Sequence, residues 1–493
     1  MSTATIEHTH PAYAKSLPQW QKCRDVYEGE DAIKAAGKKY LPKLDGQSDT
    51  AYQAYVTRAE FFNGFARSVN GLAGTALAVP PTLKVPTAME EQLRDATLAG
   101  EPIGGLIGAL VEEGLKVSRH GLLLDYSETA KRPYVVSYTA EQIRDWDTVV
   151  VDGDVILSYL VLEEVVTQRE GFEIKHVTQY RRLRLVPEGP AGALVVDVQV
   201  WQKTGGDGPD KDTWRVIQTI RPERRGVRLT FLPFVIISSN GITPDVRKPA
   251  MLDLVAVNLS HYRTSADLEH GRHFTGLPQP VVIGATPDKD VQIDSSKVWP
   301  LPVGGDAKYM EFTGTGLKTL ETALDQKERR MAVLGSRMLE PQKKAVEAAA
   351  ALKMRQAGDD ATLASVVGAI ELGLTFLLRR WAWWGGYAQT PDAADIAITL
   401  NKDFVGTDIP LDSLSLLAQA EKLSFATLYY NLERAGLTRP GITAEQERQQ
   451  ILLEGGSDPH EGAPHAGVPT PKPKAGDGGA TADDENDDLG GVQ

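Results

Sequence analysis

RKPAMLDLVAVNLSHYRTSADLEHGRHF (residues 247–274) and LKTLETALDQKERRMAVLGSRML (residues 317–339) decide how this chain is read. In the first stretch Leu252, Val255, Leu259, Tyr262 and Ala266 recur at alternating intervals of three and four. In the second, Leu317, Leu320, Leu324, Lys327, Met331, Leu334 and Met338 keep the same rhythm. A third run does so too, through Leu363, Val367, Ile370, Leu374, Leu377, Trp381 and Trp384. This spacing puts the apolar side chains on one face of a helix, so the chain predicts long helices packed side by side. The second would be about 35 Å long if straight. These are struts, and no catalytic motif lies in them.

Between the first two struts the period is lost. Residues 277–312 hold Pro278, Pro280, Pro287, Pro300 and Pro302, with strand-like Pro280-Val281-Val282-Ile283 and Val298-Trp299. They read as a small β module between two helix ends. Upstream, residues 11–40 read as one helix with Trp20, Cys23 and Tyr27 on its seam. A second helix starts at Ser48 or Asp49, either a good N-cap, and carries Tyr52, Tyr55, Ala59, Phe62, Ala66, Val69 and Ala73. A third follows Pro102, placed in its first turn, and buries Ile103, Leu106, Leu110 and Val117. That helical block ends with an apolar strand at 122–124; from Tyr134 to Ser239 the period becomes two, with runs at 155–160, 175–186, 194–201, 214–220 and 231–237 separated by turn residues. That predicts an antiparallel meander and an α+β fold. Residues 340–358 are Ala-rich and join the second strut to the third helix. Ile396-Ala397-Ile398 reads as a strand, and 411–435 and 443–453 as helices. Beyond Gly456 the chain is Pro, Gly, Ala and Asp, too poor in bulky apolar residues to order itself.

The totals set the class. The 493 residues suggest roughly three domains. One cysteine, Cys23, excludes an internal disulfide framework and suits a reducing compartment. The polar MSTATIEHTH start argues against a secretory signal. The apolar run 366–384, interrupted by Glu371, Arg379 and Arg380, reads as too short and too charged to span a membrane. A soluble intracellular protein with no membrane partner is therefore expected. The net charge is −13, and nearly half of it lies beyond Gly456. A protein that holds nucleic acid neutralises phosphates with a basic surface, which this composition does not favour.

Sites of familiar chemistry are weak. His261 and His270 sit on opposite sides of a helix, so with His273 and Glu269 they do not converge as zinc ligands. Gly314-Thr315-Gly316-Leu317-Lys318-Thr319 has the wrong spacing for a phosphate loop; Thr315 reads as an N-cap. Asp145, Asp147, Asp152 and Asp154 lack the Gly and Glu of a calcium loop, and Asp152-Gly153-Asp154 reads as a hairpin turn. Cys23 reads as a buried thiol. Trp381, Trp383 and Trp384 suit core packing better than base stacking. Lys343, Lys344, Lys353 and Arg355 fit a phosphate contact or a solvated helix face equally well. No cofactor and no catalytic residue is expected.

The order of the pieces resembles the portal proteins of tailed bacteriophages, and within them the portal-like DUF4055 family. The residues that carry the likeness are Tyr40-Leu41-Pro42, Ala59-Glu60-Phe61-Phe62-Asn63, the run from Asn258 to Asp267, the run from His270 to Pro278, Leu334-Gly335-Ser336-Arg337-Met338-Leu339, and Ala361-Thr362-Leu363-Ala364-Ser365. They are short phrases spread over residues 13–455, not a catalytic signature. The resemblance implies a wing (1–246), a first stem helix (247–274), a clip (275–314), a second stem helix (315–339), a tunnel loop and joint (340–358), a spine helix (359–390), a C-terminal wing or crown (391–456) and an acidic tail (457–493). It implies a non-enzymatic ring of about twelve copies at one capsid vertex. The ring would be a channel for genome packaging and ejection, in the virion and, during assembly, in the host cytoplasm. Its partners would be the major capsid protein, the terminase large subunit, a head-completion or tail adaptor protein, and double-stranded DNA passing without sequence preference. Arg337, Gln342, Lys343 and Lys344 would face the channel. Leu252, Val255, Leu259 and Tyr262, with Leu317, Leu320, Leu324, Lys327 and Met331, would form the stem contact between subunits. Two other classes remain as alternatives: a scaffold or adaptor built on a helical strut, and an enzyme whose site is scattered in sequence.

Overall fold

The computed structural model describes residues 5–190, 192–203, 213–276, 279–283, 303–310, 315–335, 349–402, 411–420, 422–434, 437–439 and 441–454. Two compact units result, Met1–Val405 and Gly406–Gln493.

The first unit opens with α1 (Pro11–Glu28) and α2 (Glu30–Ala36). The single helix expected over 11–40 is thus broken, because Gly29 takes φ 99°, a conformation that only glycine adopts cheaply. The next expected helix is also split, into α3 (Asp49–Arg58) and α4 (Gly64–Ala76). Ser48 is the N-cap, its hydroxyl accepting from the Ala51 N–H at 3.1 Å. The break arises because Ala59 turns to extended backbone (φ −62°, ψ 132°). A short strand β1 (Thr82–Lys84) and α5 (Thr87–Gln92) lead to α6 (Ile103–Val117), where Pro102 is the N-cap residue rather than a member of the first turn.

The β region forms two antiparallel sheets. β2 (Arg119–Ser127) and β3 (Arg132–Thr139) belong to one. The meander is the other, in the sequential order β4 (Ile143–Val151), β5 (Asp154–Glu170), β6 (Glu173–Glu188), β7 (Ala193–Lys203), β8 (Trp214–Ile220). The β4–β5 turn is the Asp152-Gly153 hairpin, with positive φ at both residues. After the small ribbon β9 (Glu223–Arg224) and β10 (Val227–Arg228), the chain leaves the meander. β11 (Phe234–Ser238) and β12 (Gly241–Ile242) join the first sheet, in the order β12-β11-β2-β3. Leu122 and Val235 meet in register there, and β11 is buried along its whole length, as a central strand with both faces covered should be.

Three long helices follow: α7 (Leu252–Gly276), α8 (Thr315–Leu334) and α9 (Ala349–Trp384). Between α7 and α8, β13 (Gln279–Ile283) pairs antiparallel with β14 (Asp306–Met310). The stretch read as a joint, 340–358, is already helical from Ala349, and the helix stops at Trp384. β15 (Ala397–Thr399) closes on β1. Residues 361–384 are long and apolar enough to cross a membrane by length and composition, which corrects the sequence expectation that this run is too short. In this fold it is a core helix: Leu363, Val367, Ile370, Leu374, Leu377 and Trp381 are buried against α6, β11 and β15. Trp381 donates its indole N–H to Gln92 Oε1 at 3.1 Å, and Trp384 donates to the Glu223 carbonyl and stacks on Tyr126. The tryptophan cluster packs in the core, as its apolar helix implied.

The same unit buries a charge cluster. Arg24 of α1 holds Glu113 of α6 through two hydrogen bonds (3.1 and 2.8 Å) and Glu141 through two more (2.5 and 2.7 Å). Burial alone would raise the Glu113 carboxyl, but Arg24 and Lys116 outweigh it and hold Glu113 at about 2. Neighbouring His120 has no such carboxylate bond, and burial pushes it down to about 4. Cys23 is fully buried and its thiol is pushed up to about 12 by desolvation.

The second unit contains α10 (Leu411–Gln419), α11 (Phe425–Arg434) and α12 (Ala444–Leu453). Thr443 caps α12 in a reciprocal capping box with Gln446. Leu416, Leu437 and Leu453 stay exposed.

Candidate functional site

The most specific construction in the chain is the α7–α8 pair and the way it is rooted. The anchor is Asn258, fully buried on α7. Its Oδ1 accepts from the Phe65 N–H at 2.9 Å and its Nδ2 donates to the Phe62 carbonyl at 2.8 Å. Those two backbone groups lie where α3 and α4 part, so neither has a helical partner. One amide side chain from nearly two hundred residues away supplies what the broken helix lacks. Around it, Tyr55 donates to Asp267 at 2.5 Å, Arg58 Nη2 lies 3.3 Å from His270 Nδ1, and Phe61 packs edge-on against Tyr262. Asn63 caps α4 through the Ala66 N–H and donates to the Tyr27 carbonyl. Two of the phrases that carry the family resemblance, 59–63 and 258–267, therefore touch each other.

Toward the end of α8, Met331 is buried beside Gly64, and the chain leaves through Gly335. A Cβ on Gly335 would run into Ser68 Oγ and come within 2.7 Å of Leu254 Cδ2, so a larger residue there would have to push these side chains aside. Lys327 lies between the helices and donates to the Ser260 carbonyl at 3.0 Å and to the Thr264 hydroxyl. Burial and the nearby Arg263 lower its pKa. His261 Nε2 is 3.3 Å from Glu328, and Arg272 bridges Glu269 (2.7 Å) and Glu321 (2.9 Å) across the pair. Burial lowers the His261 pKa against the pull of Glu328.

The expected stem residues divide into two groups. Val255, Leu259 and Tyr262 are buried within the chain, against α1, α3 and α4; their seam is closed by the chain's own helices, so it leaves nothing for a neighbouring copy. Leu252 is half-buried at the start of α7. Leu317, Leu320, Leu324 and Lys327 are half-buried between α8 and α7. Arg337, Gln342, Lys343 and Lys344 lie outside the described residues, as do most of the clip and the acidic tail. The three histidines do not converge: His261 faces Glu328, while His270 stacks edge-on with Tyr55 and Phe274. Asn258, Asp267 and Tyr55 were not singled out by role from the sequence. The available signal was a lone amide inside the apolar run Leu254–Leu259.

The arrangement defines an α+β protein in which two long helices, α7 and α8, pack together with a two-stranded β insert between them. A family model described as "Domain of unknown function (DUF4055)" matches residues 250–385, the span from α7 through α9, and bears out the family resemblance read from the sequence. A search of the curated proteins found no match. Among solved structures, the chain is similar to one in "Virion of native gene transfer agent (GTA) particle" and one in "Neck of empty GTA particle computed with C6 symmetry". Each is 15% identical with a TM-score of 0.37, covering 87% of this chain and 99% of that one. A chain in "Neck of native GTA particle computed with C12 symmetry" is 14% identical with a TM-score of 0.38 and the same coverage.

Proposed function

We propose that this chain is a portal-type subunit, a structural head–tail connector that assembles with copies of itself into a ring of about twelve at a capsid vertex. In this reading the ring is the channel for genome packaging and ejection. It docks terminase on one side and a tail or adaptor protein on the other, within the virion. The observation that carries it is the α7–β13–β14–α8 unit, two long helices with a β insert between their ends, inside the span that the DUF4055 model matches. α8 suits a subunit interface on its outer side: Val333 (66% exposed) and Leu334 (43%) lie on it beside Arg329 and Arg330. Apolar side chains of that size on a strut favour a partner surface. Arg337, Gln342, Lys343 and Lys344 follow directly and are the candidates to face the channel. The mildly acidic remainder suits DNA that slides rather than sticks. The perturbed titratable groups Glu113 and His120 are closed inside the wing, where no substrate could reach them, so they lend no support to an enzyme.

The test is native mass by analytical ultracentrifugation with negative-stain images of the same sample. Rings of about twelve with a central hole are expected. A species that stays monomeric at high concentration, with and without capsid protein, would overturn the reading.

A further inference from the structure

The β5–β6 hairpin is longer than its sheet needs. Pairing with β4 ends at Leu162, and pairing with β7 begins at Gln179. β5 and β6 nevertheless stay paired out to Glu170 and Glu173. Among the described residues no third strand pairs with 163–178, which form a two-stranded arm of a kind marginally stable in water by itself. Its tip carries Phe172, at 101% exposure, with Ile174 (54%) and Val165 (58%) behind it. Glu170 is tied to Lys175 at 2.5 Å, while Glu173 makes no ion pair among the described residues.

At the other end of the same strand is an apolar cleft of about 190 Å³, walled by Leu157, Phe231, Phe234, Ile242, Phe376 and Arg380. An apolar cavity of about 150 Å³ is enough to take up a benzene ring. The cleft's Phe231 end carries two arginines: Arg380 is ion-paired with Asp392 at 3.3 Å, and Arg224 makes no ion pair among the described residues. Arg380 lies over the Phe376 and Phe231 rings, and Arg224 lies over Trp383, which packs on Phe231. Val155 (69% exposed) and Ile242 (43%) form an open apolar rim.

We infer that the arm of one copy docks on the next, seating Phe172 in this cleft with Glu173 facing Arg224 at its Phe231 end. The arm cannot reach the cleft of its own chain. β5 is 17 residues long, so the two sites lie roughly 50 Å apart at opposite ends of one strand. Tip and cleft are different surfaces, so the contact is head-to-tail, and copies joined this way close into a ring or run on as a filament. The inference rests on the ring reading for its closure and names the contact that would make it.

Disulfide trapping tests it. Cys23 is fully buried and is the chain's one cysteine, so introduced thiols do not compete with it. Val155→Cys on the rim and Ile174→Cys on the arm are too far apart in one chain to bond, because a disulfide needs Cα atoms within about 7 Å. Under mild oxidation the double variant should give a ladder of dimer, trimer and higher species on a non-reducing gel. Adding Phe172→Ser should abolish it. Each single variant should give dimer at most. A double variant that stays monomeric or stops at dimer overturns the inference, as does a ladder that survives Phe172→Ser. The native mass of the unmodified protein separates the two proposals: rings without a ladder remove the arm contact and leave the ring reading, whereas neither rings nor ladder removes both.

Discussion

Replacing Asn258 with alanine should destabilise the first unit by about 2–4 kcal/mol. The figure follows from the two bonds that its amide makes. The Phe65 N–H loses its acceptor at the start of α4, where no helical carbonyl is in reach, and a buried unpaired donor costs about 1–3 kcal/mol. The Phe62 carbonyl is less exposed to loss, because the Gly64 N–H still donates to it at 3.0 Å; it forfeits a second bond of about 0.5–1.5 kcal/mol. At an unfolding entropy of roughly 2.1 cal/mol/K per residue over Met1–Val405, a loss of about 3 kcal/mol lowers the melting temperature by about 3.5 °C. Scanning calorimetry reads the shift, and hydrogen exchange at the Phe65 amide reads its location. Asn258→Asp sharpens the test. It keeps an acceptor for Phe65 but sets a carboxylate oxygen against the Phe62 carbonyl, so it should be worse than alanine at neutral pH and recover partly as the carboxyl protonates in acid. An alanine variant that melts within about 0.5 °C of the parent with the Phe65 amide still protected would refute the claim that this residue roots the helix pair.

Four further outcomes are expected. Glu113 is held near 2 against an ordinary 4.5, so its contribution, on the order of 3 kcal/mol, is complete above pH 4.5 and lost as pH falls toward 2; urea midpoints of Glu113→Gln should be flatter across that window. His120 is held near 4 against an ordinary 6.5, so stability also falls as pH drops from 6.5 to 4, and His120→Gln should flatten that upper window alone; an unchanged slope in either variant would count against the assignment. Trp381→Ala should cost about 3–5 kcal/mol in a denaturant melt, since the ring is fully buried and its N–H is bonded to Gln92; a small change would reopen the base-stacking reading. Lys327→Met should leave stability within about 1 kcal/mol, because the desolvated charge beside Arg263 offsets its two bonds; a large loss would show that Lys327 sets the register of α7 on α8.

The long helices were legible because their signal is local. A three-four rhythm fixes a helix and its apolar face whatever lies opposite, so α7, α8 and α9 fall where the periodicity put them. The β meander was legible for the same reason: alternation and Gly-rich turns act between neighbours in sequence. Tryptophans 381 and 384 were read as core from the apolar helix that carries them, and they are buried there. The breaks were harder. Gly29 and Ala59 interrupt helices whose side-chain rhythm runs on without a pause, because backbone geometry at one residue leaves no trace in a hydrophobic pattern.

What the sequence determined by itself is the inventory of elements, the faces they bury, and the absence of a recognised catalytic motif. What only the tertiary structure decided is which face meets which. The seam Val255–Leu259–Tyr262 could have been closed by another copy or by the chain itself. It is closed by α1, α3 and α4, since those helices are already tethered nearby and no second molecule has to be ordered. Asn258 acquired its role only when Phe62 and Phe65 were brought beside it, and β11 left the meander for β2 because that sheet had an apolar edge to fill. The separation of Phe172 from its matching cleft is likewise a matter of three dimensions: adjacent hairpins in sequence became the two ends of one long strand.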